Sequence, residues 1–464
     1  MKLSSNSLLL LGPVLAIVTG VLVGAQLSLP AGITAGVTAW TILWWISEPV
    51  PIPVTSLLPL ALFPLLGVLD AKAVAAAYGS PLIILMLGGF ILSRGMESTG
   101  THRRLAVYMV NACTRVAGQQ SDRSVVIGFM MASAALSMWI SNTATTLMLL
   151  PIALAILEKA KNPFLPVALM LGIAYAANVG GIGTPIGTPP NLVFMEVYAE
   201  FTGERMGFVR WMSWGVPVVL VLVPIIAWWL TRKLADSELR DQGLVLPQVG
   251  QWQSAEKRVL AVFAMTALLW ITRSEPFGGW SGWLGLPNAN DAAIALVGAI
   301  ALFIVPDGRG GRLLNWEQAN QIPWGILLLF AGGICIAKAF IASGLSEALG
   351  DAFAGLASLP LLAMLFVLCL GVSFLTETTS NMATTALLMP ILAAAALGAQ
   401  LDPQWLMVPA AMSASCAFML PVATAPNAIV FGSGKIAAGQ MLRTGFTLNF
   451  IGAAVITLVC WLAI

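Results

Sequence analysis

Long apolar segments separated by short polar ones run along most of the chain. Each has few or no charged residues, and a helix of about 20 apolar residues is long enough to cross a bilayer. The uninterrupted segments lie near residues 8–29, 31–46, 52–69, 82–97, 211–231, 258–272, 291–306, 323–343 and 443–464. We predict a membrane-spanning helix in each of them.

Two further apolar segments, 124–157 and 358–399, are too long for a single span and contain related sequences. The first carries Ser-Asn-Thr at 141–143, and the second carries Ser-Asn-Met at 380–382. Ser, Asn and Thr are preferred helix N-caps, so each cluster predicts the end of one helix and the start of another. We therefore expect two re-entrant hairpins with their tips at these clusters.

Two more apolar segments, 165–198 and 404–434, contain helix-breaking residues. The interruption at 180–191 is rich in Gly and Pro, and the one at 421–427 contains two prolines. Gly and Pro disfavour the continuation of a helix. Each segment predicts a broken helix, and the whole pattern predicts an all-α membrane protein with about eleven transmembrane helices plus the two hairpins.

The composition agrees with this pattern. The chain has 464 residues, of which 59% are hydrophobic and 9% charged, so it is predicted to be an integral membrane protein rather than a soluble enzyme. Residues 8–27 lack a small-residue cleavage site, which favours a first transmembrane helix over a removable signal. The net charge of +2 gives no indication of nucleic-acid binding, and the five cysteines lack metal-ligand spacing.

The distribution of basic residues predicts the orientation. With a cytoplasmic N-terminus and an extracytoplasmic C-terminus, 17 of the 22 Lys and Arg residues fall in predicted cytoplasmic segments. Four fall outside, namely Lys72, Arg205, Arg210 and Arg273. This asymmetry follows the positive-inside rule. It also makes the first hairpin enter from the cytoplasm and the second from outside, so that the two halves are inverted.

An internal repeat supports the same interpretation. Three short sequence features of the first half recur in the same order in the second. The matches are 88–89 with 332–333, 141–143 with 380–382, and 188–191 with 424–427, at offsets of 244, 239 and 236 positions. Inverted repeats with interrupted helices at corresponding positions are typical of secondary transporters with a binding site near the membrane midplane.

The hairpin tips are candidate anion-binding elements. Ser141, Asn142 and Thr143 in one half, and Ser380 and Asn381 in the other, would leave helix N-termini at the centre of the membrane. A helix N-terminus carries about half a positive charge and unpaired N–H donors, which suit an anion. Simple capping is the alternative. The duplication of an Asn, which is costly in lipid unless paired, favours a direct role.

The broken helices provide a second set of candidates. Thr188 and Thr424 are predicted to N-cap half-helices that point at the site, with Pro189 at the first helical position of the first one. A structural kink at proline is the alternative. The glycines that precede Thr188 favour more than a kink, since they would let backbone carbonyl oxygens turn inward toward a cation such as Na⁺.

Charged residues inside the predicted spans are few. Glu377 and Lys338 are the clear cases, and Glu48 lies near the end of a span. An ionisable residue in the membrane is a functional candidate. Glu377 is either a proton carrier or a brace that pairs with a residue such as Lys338. We favour the brace, because no acid stands at the matching position, Met138.

At this point the motifs resemble those of the divalent anion:sodium symporter family, the bacterial di- and tricarboxylate transporters. The resemblance covers nearly the whole chain, and it is carried by the sequences at 141–143, 187–191, 376–381, 415–424 and 427–434. It implies an elevator mechanism, in which a transport domain of hairpins and broken helices slides against a scaffold domain. It also implies a homodimer formed through the scaffold and a location in the bacterial inner membrane.

The resemblance gives the following division of the chain. Scaffold helices are expected in 1–80 and 258–322, and a cytoplasmic linker in 232–257. The first inverted repeat is expected in 81–231, with its hairpin at 124–157 and broken helix at 165–198. The second is expected in 323–464, with its hairpin at 358–399 and broken helix at 404–434.

By motif, the resemblance also implies two sodium sites and one substrate site. The first sodium site would use Ser137, Ser141, Asn142 and the backbone of Gly187, and the second Thr376, Thr379, Asn381 and the backbone of Ala423. Substrate carboxylates would contact Asn142, Thr143, Thr188, Ser380, Asn381 and Thr424. Two positions depart from the family pattern, since Met382 replaces a Thr and Ala425 replaces a Pro.

The predicted function is sodium-coupled uptake of C4-dicarboxylates such as succinate, malate or fumarate, with co-transported sodium ions. A dicarboxylate exchanger without sodium coupling and a sodium:sulfate symporter of the same fold are the alternatives. An intramembrane enzyme is disfavoured, because the spans contain no paired carboxylates and the serines have no candidate base nearby in sequence. A channel is disfavoured because two helix breaks in each half favour alternating access.

Overall fold

The structure, a computed structural model, describes residues 5–116, 121–158, 160, 162–234, 250–274, 278–353 and 360–464. These residues contain helices and no β-strand, apart from an isolated bridge between Pro306 and Arg312. The all-α prediction is therefore confirmed for this part of the chain. Most of the predicted 232–257 linker lies outside the described residues.

Five helices form the N-terminal part. They are α1 Ser5–Gln26, α2 Leu29–Ser47, α3 Ile52–Thr55, α4 Leu57–Leu65 and α5 Ala71–Tyr78. A Cβ on Gly36 would lie 2.5 Å from the Ala16 carbonyl oxygen, so small residues allow α1 and α2 to pack closely. The span predicted at 52–69 is wrong in detail. It divides into α3 and α4, and three prolines within these two short helices remove backbone donors.

The next helices carry the first hairpin and the first broken helix. They are α6 Pro81–Ser98, α7 Thr101–Val116, α8 Asp122–Ser137, α9 Asn142–Leu157, α10 Leu165–Gly180, α11 Pro189–Thr202 and α12 Phe208–Thr231. The residues between the apolar segments 82–97 and 124–157 contain α7. Arg104 of α7 forms an ion pair with Glu256 (2.9 Å) and lies over the Trp252 ring, which ties α7 to the last residues of the predicted linker.

The second half begins with α13 Ser254–Ile271, α14 Gly279–Trp283, α15 Asp291–Ile304 and α16 Trp316–Ala319. The remaining helices are α17 Trp324–Ala342, α18 Leu345–Phe353, α19 Leu361–Thr376, α20 Asn381–Gly398, α21 Gln404–Ala414, α22 Ala425–Gly432 and α23 Ala438–Ala463. The order of elements from α6 to α12 thus recurs from α17 to α23.

Eight helices of the described chain are long and apolar enough to cross a membrane. The protein is accordingly a multi-pass membrane protein. The count is lower than the prediction of about eleven spans, because α4 and α15 are shorter than a full span and α13 begins with a charged turn. Neither half of the second broken helix is long enough to be counted either, while the eight include the first half of the first broken helix, α10, and one hairpin helix, α20.

Candidate functional site

Each predicted hairpin is a pair of helices joined by a four-residue turn. Residues 138–141 connect α8 to α9, and residues 377–380 connect α19 to α20. Ser141 and Ser380 occupy the N-cap positions of α9 and α20, and the Ser141 hydroxyl accepts from the Ala144 N–H. The Ser-Asn clusters therefore mark the starts of the second helices, as the sequence predicts.

The same side-chain hydrogen bond closes both hairpin tips. Ser137 Oγ donates to Asn142 Oδ1 (2.6 Å), and Thr376 Oγ1 donates to Asn381 Oδ1 (2.8 Å). Both hydroxyl-bearing residues are fully buried, whereas each Asn is partly accessible. A buried hydroxyl group thus fixes the orientation of the amide side chain at each hairpin tip.

The two broken helices are also built alike. Residues 181–188 separate α10 from α11, and Asn191 Nδ2 closes the break by donating to the carbonyl oxygens of Gly181 (2.9 Å) and Thr184 (2.7 Å). In the second half, Asn427 Nδ2 donates to the carbonyl oxygens of Ala417 and Leu420, both at 3.1 Å. In each half-helix, the Asn side chain at the third position therefore satisfies carbonyl groups of the non-helical segment before the helix.

The position of the second break corrects the prediction. The interruption predicted at 421–427 instead covers 415–424, because α21 ends at Ala414 and Asn427 is already inside α22. The two threonines before the half-helices also differ. Thr424 Oγ1 accepts from the Asn427 N–H (3.2 Å), whereas Thr188 makes no side-chain capping bond.

At Thr188 the backbone carbonyl group, rather than the side chain, accepts from the third residue of the half-helix. Pro189 and Pro190 have no N–H, and the N–H of Asn191 bonds to the carbonyl oxygen of Thr188 instead. Thr188 is at the N-cap position as predicted, but the expected capping bond is wrong. Its hydroxyl group consequently remains available to the cavity that it lines.

Both hairpin tips and both breaks line one cavity of about 740 Å³. The predicted site residues along its wall are Ser141, Asn142, Thr143, Gly187, Thr188, Thr379, Ser380, Asn381, Ala423 and Thr424. Ser137 and Thr376 lie behind the wall and reach it through Asn142 and Asn381. Met382 and Ala425, the two departures from the family pattern, also line the cavity. The fold therefore brings all the predicted site residues together.

Thr379 is oriented differently from the other predicted sodium ligands. Its hydroxyl donates to the Leu375 carbonyl oxygen (2.9 Å) and lies 2.5 Å from Thr384 Oγ1. In this conformation the Thr379 hydroxyl oxygen forms its hydrogen bonds with residues of the same hairpin. The second predicted sodium site is thus less complete than the first.

Asn178 was missed by the sequence analysis. This buried residue of α10 lines the cavity, and its Nδ2 donates to Thr424 Oγ1 (3.1 Å) and Asn427 Oδ1 (3.3 Å). It links the first broken helix to the second. The available signal was a single Asn within an otherwise apolar helix, where an unpaired amide is costly.

Comparison with known proteins identifies the family. The family model described as "Citrate transporter" matches residues 42–411. The chain belongs to the citrate transporter family. The transporter is also 39% identical over 439 residues to the "Sodium-dependent dicarboxylate transporter SdcS" of Staphylococcus saprophyticus, a match that covers 90% of this chain and 83% of the relative.

Other relatives agree with this assignment. The protein of the same name from Staphylococcus aureus is 38% identical over 439 residues, with 90% and 83% of the two chains covered. The resemblance to the divalent anion:sodium symporter family is therefore confirmed. Among solved structures, the YdaH transporter of Alcanivorax borkumensis has a similar fold, with a TM-score of 0.55, 14% identity, and 83% and 85% of the two chains covered.

Glu377 of the transporter braces the second break, but the predicted partner is wrong. Its carboxyl oxygens accept from the backbone N–H groups of Phe418 (2.7 Å), Met419 (2.9 Å) and Leu420 (3.0 Å), and from Asn449 Nδ2 (3.0 Å). Lys338 instead pairs with Glu200 at 2.5 Å. Four N–H donors take the place of a cation in compensating this buried carboxyl group.

The charged side chains on the cavity wall lie away from the motifs. Glu48, Arg94 and Glu97 line the cavity together with Gln321. Arg94 forms an ion pair with Glu97 (2.5 Å) and a short hydrogen bond to the Gln321 side chain. Neither hairpin tip nor break contributes a lysine or arginine to the wall. Anion binding at the tips would rely on helix ends, amides, hydroxyls and bound cations.

Proposed function

We propose that this protein is a sodium-coupled importer of C4-dicarboxylates such as succinate, malate and fumarate. The observation that carries the proposal is the convergence of two Ser-Asn hairpin tips and two helix breaks on one cavity. The names of the relatives, which are sodium-dependent dicarboxylate transporters, support the same substrate class and coupling ion.

The cavity is suited to an anion because four helices begin on its wall. The first residues of α9, α20, α11 and α22 are Asn142, Asn381, Pro189 and Ala425, and all four line it. Each helix N-terminus contributes a partial positive charge. The first residues of α9, α20 and α22 also carry an N–H donor, whereas α11 begins with two prolines and contributes its partial charge alone. The hydroxyl groups of Thr143, Thr188, Ser380 and Thr424 add donors for two carboxylates.

The proposed sodium sites use only oxygen ligands, which a hard cation prefers. The first consists of Ser137, Ser141, Asn142 and the backbone of Gly187. The second consists of Thr376, Thr379, Asn381 and the backbone of Ala423, and it requires Thr379 to rotate away from Thr384. Bound Na⁺ ions beside the substrate would offset the charge of a dianion, which couples the binding of the two ligands.

Transport is proposed to follow an elevator mechanism in a homodimer. The hairpins and broken helices would move as a transport domain within two inverted repeats, 81–231 and 323–464, relative to scaffold helices in 1–80 and 258–322. The N-terminus is placed in the cytoplasm and the C-terminus outside, in the bacterial inner membrane. The basic residues outside the spans support this orientation.

Uptake into proteoliposomes tests the proposal. Purified protein in vesicles without internal anion should accumulate labelled succinate when Na⁺ is outside, and replacement of Na⁺ by K⁺ should abolish uptake. Uptake that requires preloaded succinate would establish exchange instead. Strong inhibition by excess sulfate, together with uptake of labelled sulfate, would establish a sulfate symporter. Equal uptake in Na⁺ and K⁺ would refute sodium coupling.

A further inference from the structure

A second cavity of about 740 Å³ lies apart from the candidate site. Its wall is formed by the first residues of α6, α12 and α15, by the second half of α11 and by the last residues of α13. None of the sequence motifs contributes to it. The cavity is comparable in volume to the candidate site and large enough to hold a small organic anion.

The two cavities are placed at opposite ends of the same helices. On α6, Leu85 lines the second cavity and Met86 the first, and on α11 Leu192 lines the first and Met195 the second. The first cavity extends from Met86 toward the C-terminal end of α6, and the second extends from Leu85 toward the N-terminal end. If α6 crosses the membrane, the second cavity faces the side opposite the wall formed by Arg94 and Glu97.

A row of aromatic rings connects the two walls. Trp139, beside the first hairpin tip, lines the first cavity and stacks on Phe208 with 6.1 Å between ring centroids. Phe208 lines the second cavity and stacks on Trp270 at 5.0 Å. The stack of rings thus runs from the wall of one cavity to the wall of the other, and the two cavities are separate in this conformation.

The second cavity carries a cluster of arginines. Arg205, Arg210 and Arg273 line it, and they are three of the four basic residues that the sequence places outside the cell. Arg273 is neutralised by Asp291, with Nε 2.6 Å from the carboxylate. Among the described residues, Arg205 and Arg210 form no ion pair within 4.0 Å, and both are exposed.

The geometry of Arg210 leaves its hydrogen-bonding edge available. Its guanidinium lies over the Trp214 ring at 4.8 Å from the centroid, and its N–H groups donate no hydrogen bond to another described residue. The acids on the cavity wall are Asp291, which pairs with Arg273, and Glu196, which is buried. The accessible part of the cavity therefore has an excess of positive charge.

We propose that this second cavity is a capture site for small dicarboxylate anions on the extracytoplasmic face. A guanidinium binds a carboxylate through two parallel N–H···O bonds, and Arg205 and Arg210 provide one such group for each end of a dianion. A cleft lined by one sign of charge also raises the local concentration of counter-ions. The inference rests on the proposed function and orientation, and it adds an initial site for the substrate.

Transport kinetics test the capture site. The variants are Arg205→Gln, Arg210→Gln and their combination, and Lys72→Gln is the matched control, because Lys72 is the fourth outside cation and does not line the cavity. In right-side-out vesicles at low ionic strength, the double variant should raise KM for external succinate about ten-fold with kcat unchanged, since such clefts accelerate association by about ten-fold or more. High salt should remove most of this difference.

A labelling experiment measures the cavity without relying on transport. Val209→Cys places a thiol on the wall, and the chain without this substitution gives the background labelling. The rate of each methanethiosulfonate reagent with this thiol is divided by its rate with a small free thiol in solution. The resulting ratio should be several-fold higher for an anionic reagent than for a cationic one. External succinate should slow the reaction. Both effects should disappear when Arg205 and Arg210 are replaced by Gln and persist with Lys72→Gln.

The outcomes separate the two hypotheses. Lack of sodium-driven succinate uptake by the wild-type protein would refute the proposed function, while the labelling would still report on the cavity. Normal uptake with unchanged KM in the double variant, or labelling insensitive to succinate, would refute the capture site alone. Acidic lipid headgroups offer similar chemistry. If the arginine effects required phosphatidylglycerol and were absent in phosphatidylcholine vesicles, the ligand would be a lipid and the proposal would be wrong.

Discussion

The substitution Glu377→Gln distinguishes a brace from a proton carrier. One carboxyl oxygen accepts three hydrogen bonds, from Phe418, Met419 and Asn449, and the other accepts one from Leu420. A glutamine can preserve the first group of bonds through its amide oxygen. Its NH₂ group would then face the N–H of Leu420, so that a buried donor loses its acceptor.

The expected cost follows from that single mismatch. Removing the acceptor from a buried N–H, together with the loss of charge from the remaining bonds, costs about 2–4 kcal/mol. The segment that shifts leads directly to Ala423 and Thr424 on the cavity wall. We therefore expect a lower melting temperature in detergent and a higher Na⁺ concentration for half-maximal uptake.

A second variant with a smaller expected loss of stability serves as the control for Glu377→Gln. Asn449→Leu removes only one of the four donors to the carboxyl group, so its cost should be about 1 kcal/mol. Melting temperature and succinate uptake would be measured from pH 5.5 to 8.5 for the wild type and both variants. A Glu377→Gln protein with wild-type stability and Na⁺ dependence, but with its pH dependence of uptake abolished, would refute the brace and establish a proton carrier.

Three further predictions concern the site and its surroundings. Asn142→Ala and Asn381→Ala should each abolish transport without affecting membrane insertion, as measured by uptake and by expression in the membrane fraction; wild-type rates in both would contradict the site assignment. Gly181→Ala should raise the Na⁺ concentration for half-maximal uptake, because a Cβ there would lie 2.9 Å from Asn142 Oδ1, and an unchanged value would argue against the first sodium site. Lys338→Gln breaks a partly exposed ion pair with Glu200 and should lower the free energy of unfolding by at most about 1 kcal/mol; a larger loss in thermal unfolding would show that this pair has a greater structural role.

Local sequence was sufficient to predict the elements of the site. Serine is a preferred N-cap residue, and α9 and α20 begin one residue after Ser141 and Ser380, although only Ser141 makes a side-chain capping bond. The prolines and glycines at 180–191 likewise indicated the first break. These features depend on the conformational preferences of a few neighbouring residues, and they can be recognised without knowing the fold.

Contacts between distant segments were not predictable in this way. The donors to Glu377 lie 41 to 72 residues away, and Asn178 is 246 residues from Thr424. The pairing of Glu377 with Lys338 was expected because both are charged residues within predicted spans, yet backbone N–H groups of the break satisfy the carboxyl group. Backbone N–H groups that are unpaired in a non-helical segment compete with cations for a buried carboxyl group. The positions of these N–H groups become known only in the folded structure.

The start of the break in the second broken helix was only partly predictable, because the sequence indicates that a break exists but not where it begins. Pro421 and Pro426 predict a break over 421–427, whereas the break in the structure begins earlier, at Ser415. No Gly or Pro lies between Ser415 and Leu420, and this segment is held open by Glu377 and Asn427 from other parts of the fold. Tertiary hydrogen bonds thus end α21 where local propensity gives little signal.

The most direct test of the central claim is a measurement of driven transport. Proteoliposomes would be equilibrated with equal concentrations of labelled succinate on both sides, and an inward Na⁺ gradient would then be imposed. The account predicts transient accumulation of internal succinate above the external concentration, and no accumulation with a K⁺ gradient of the same size. Succinate that stays at its equilibrium level under the Na⁺ gradient, in vesicles shown to exchange labelled succinate, would contradict sodium-coupled transport.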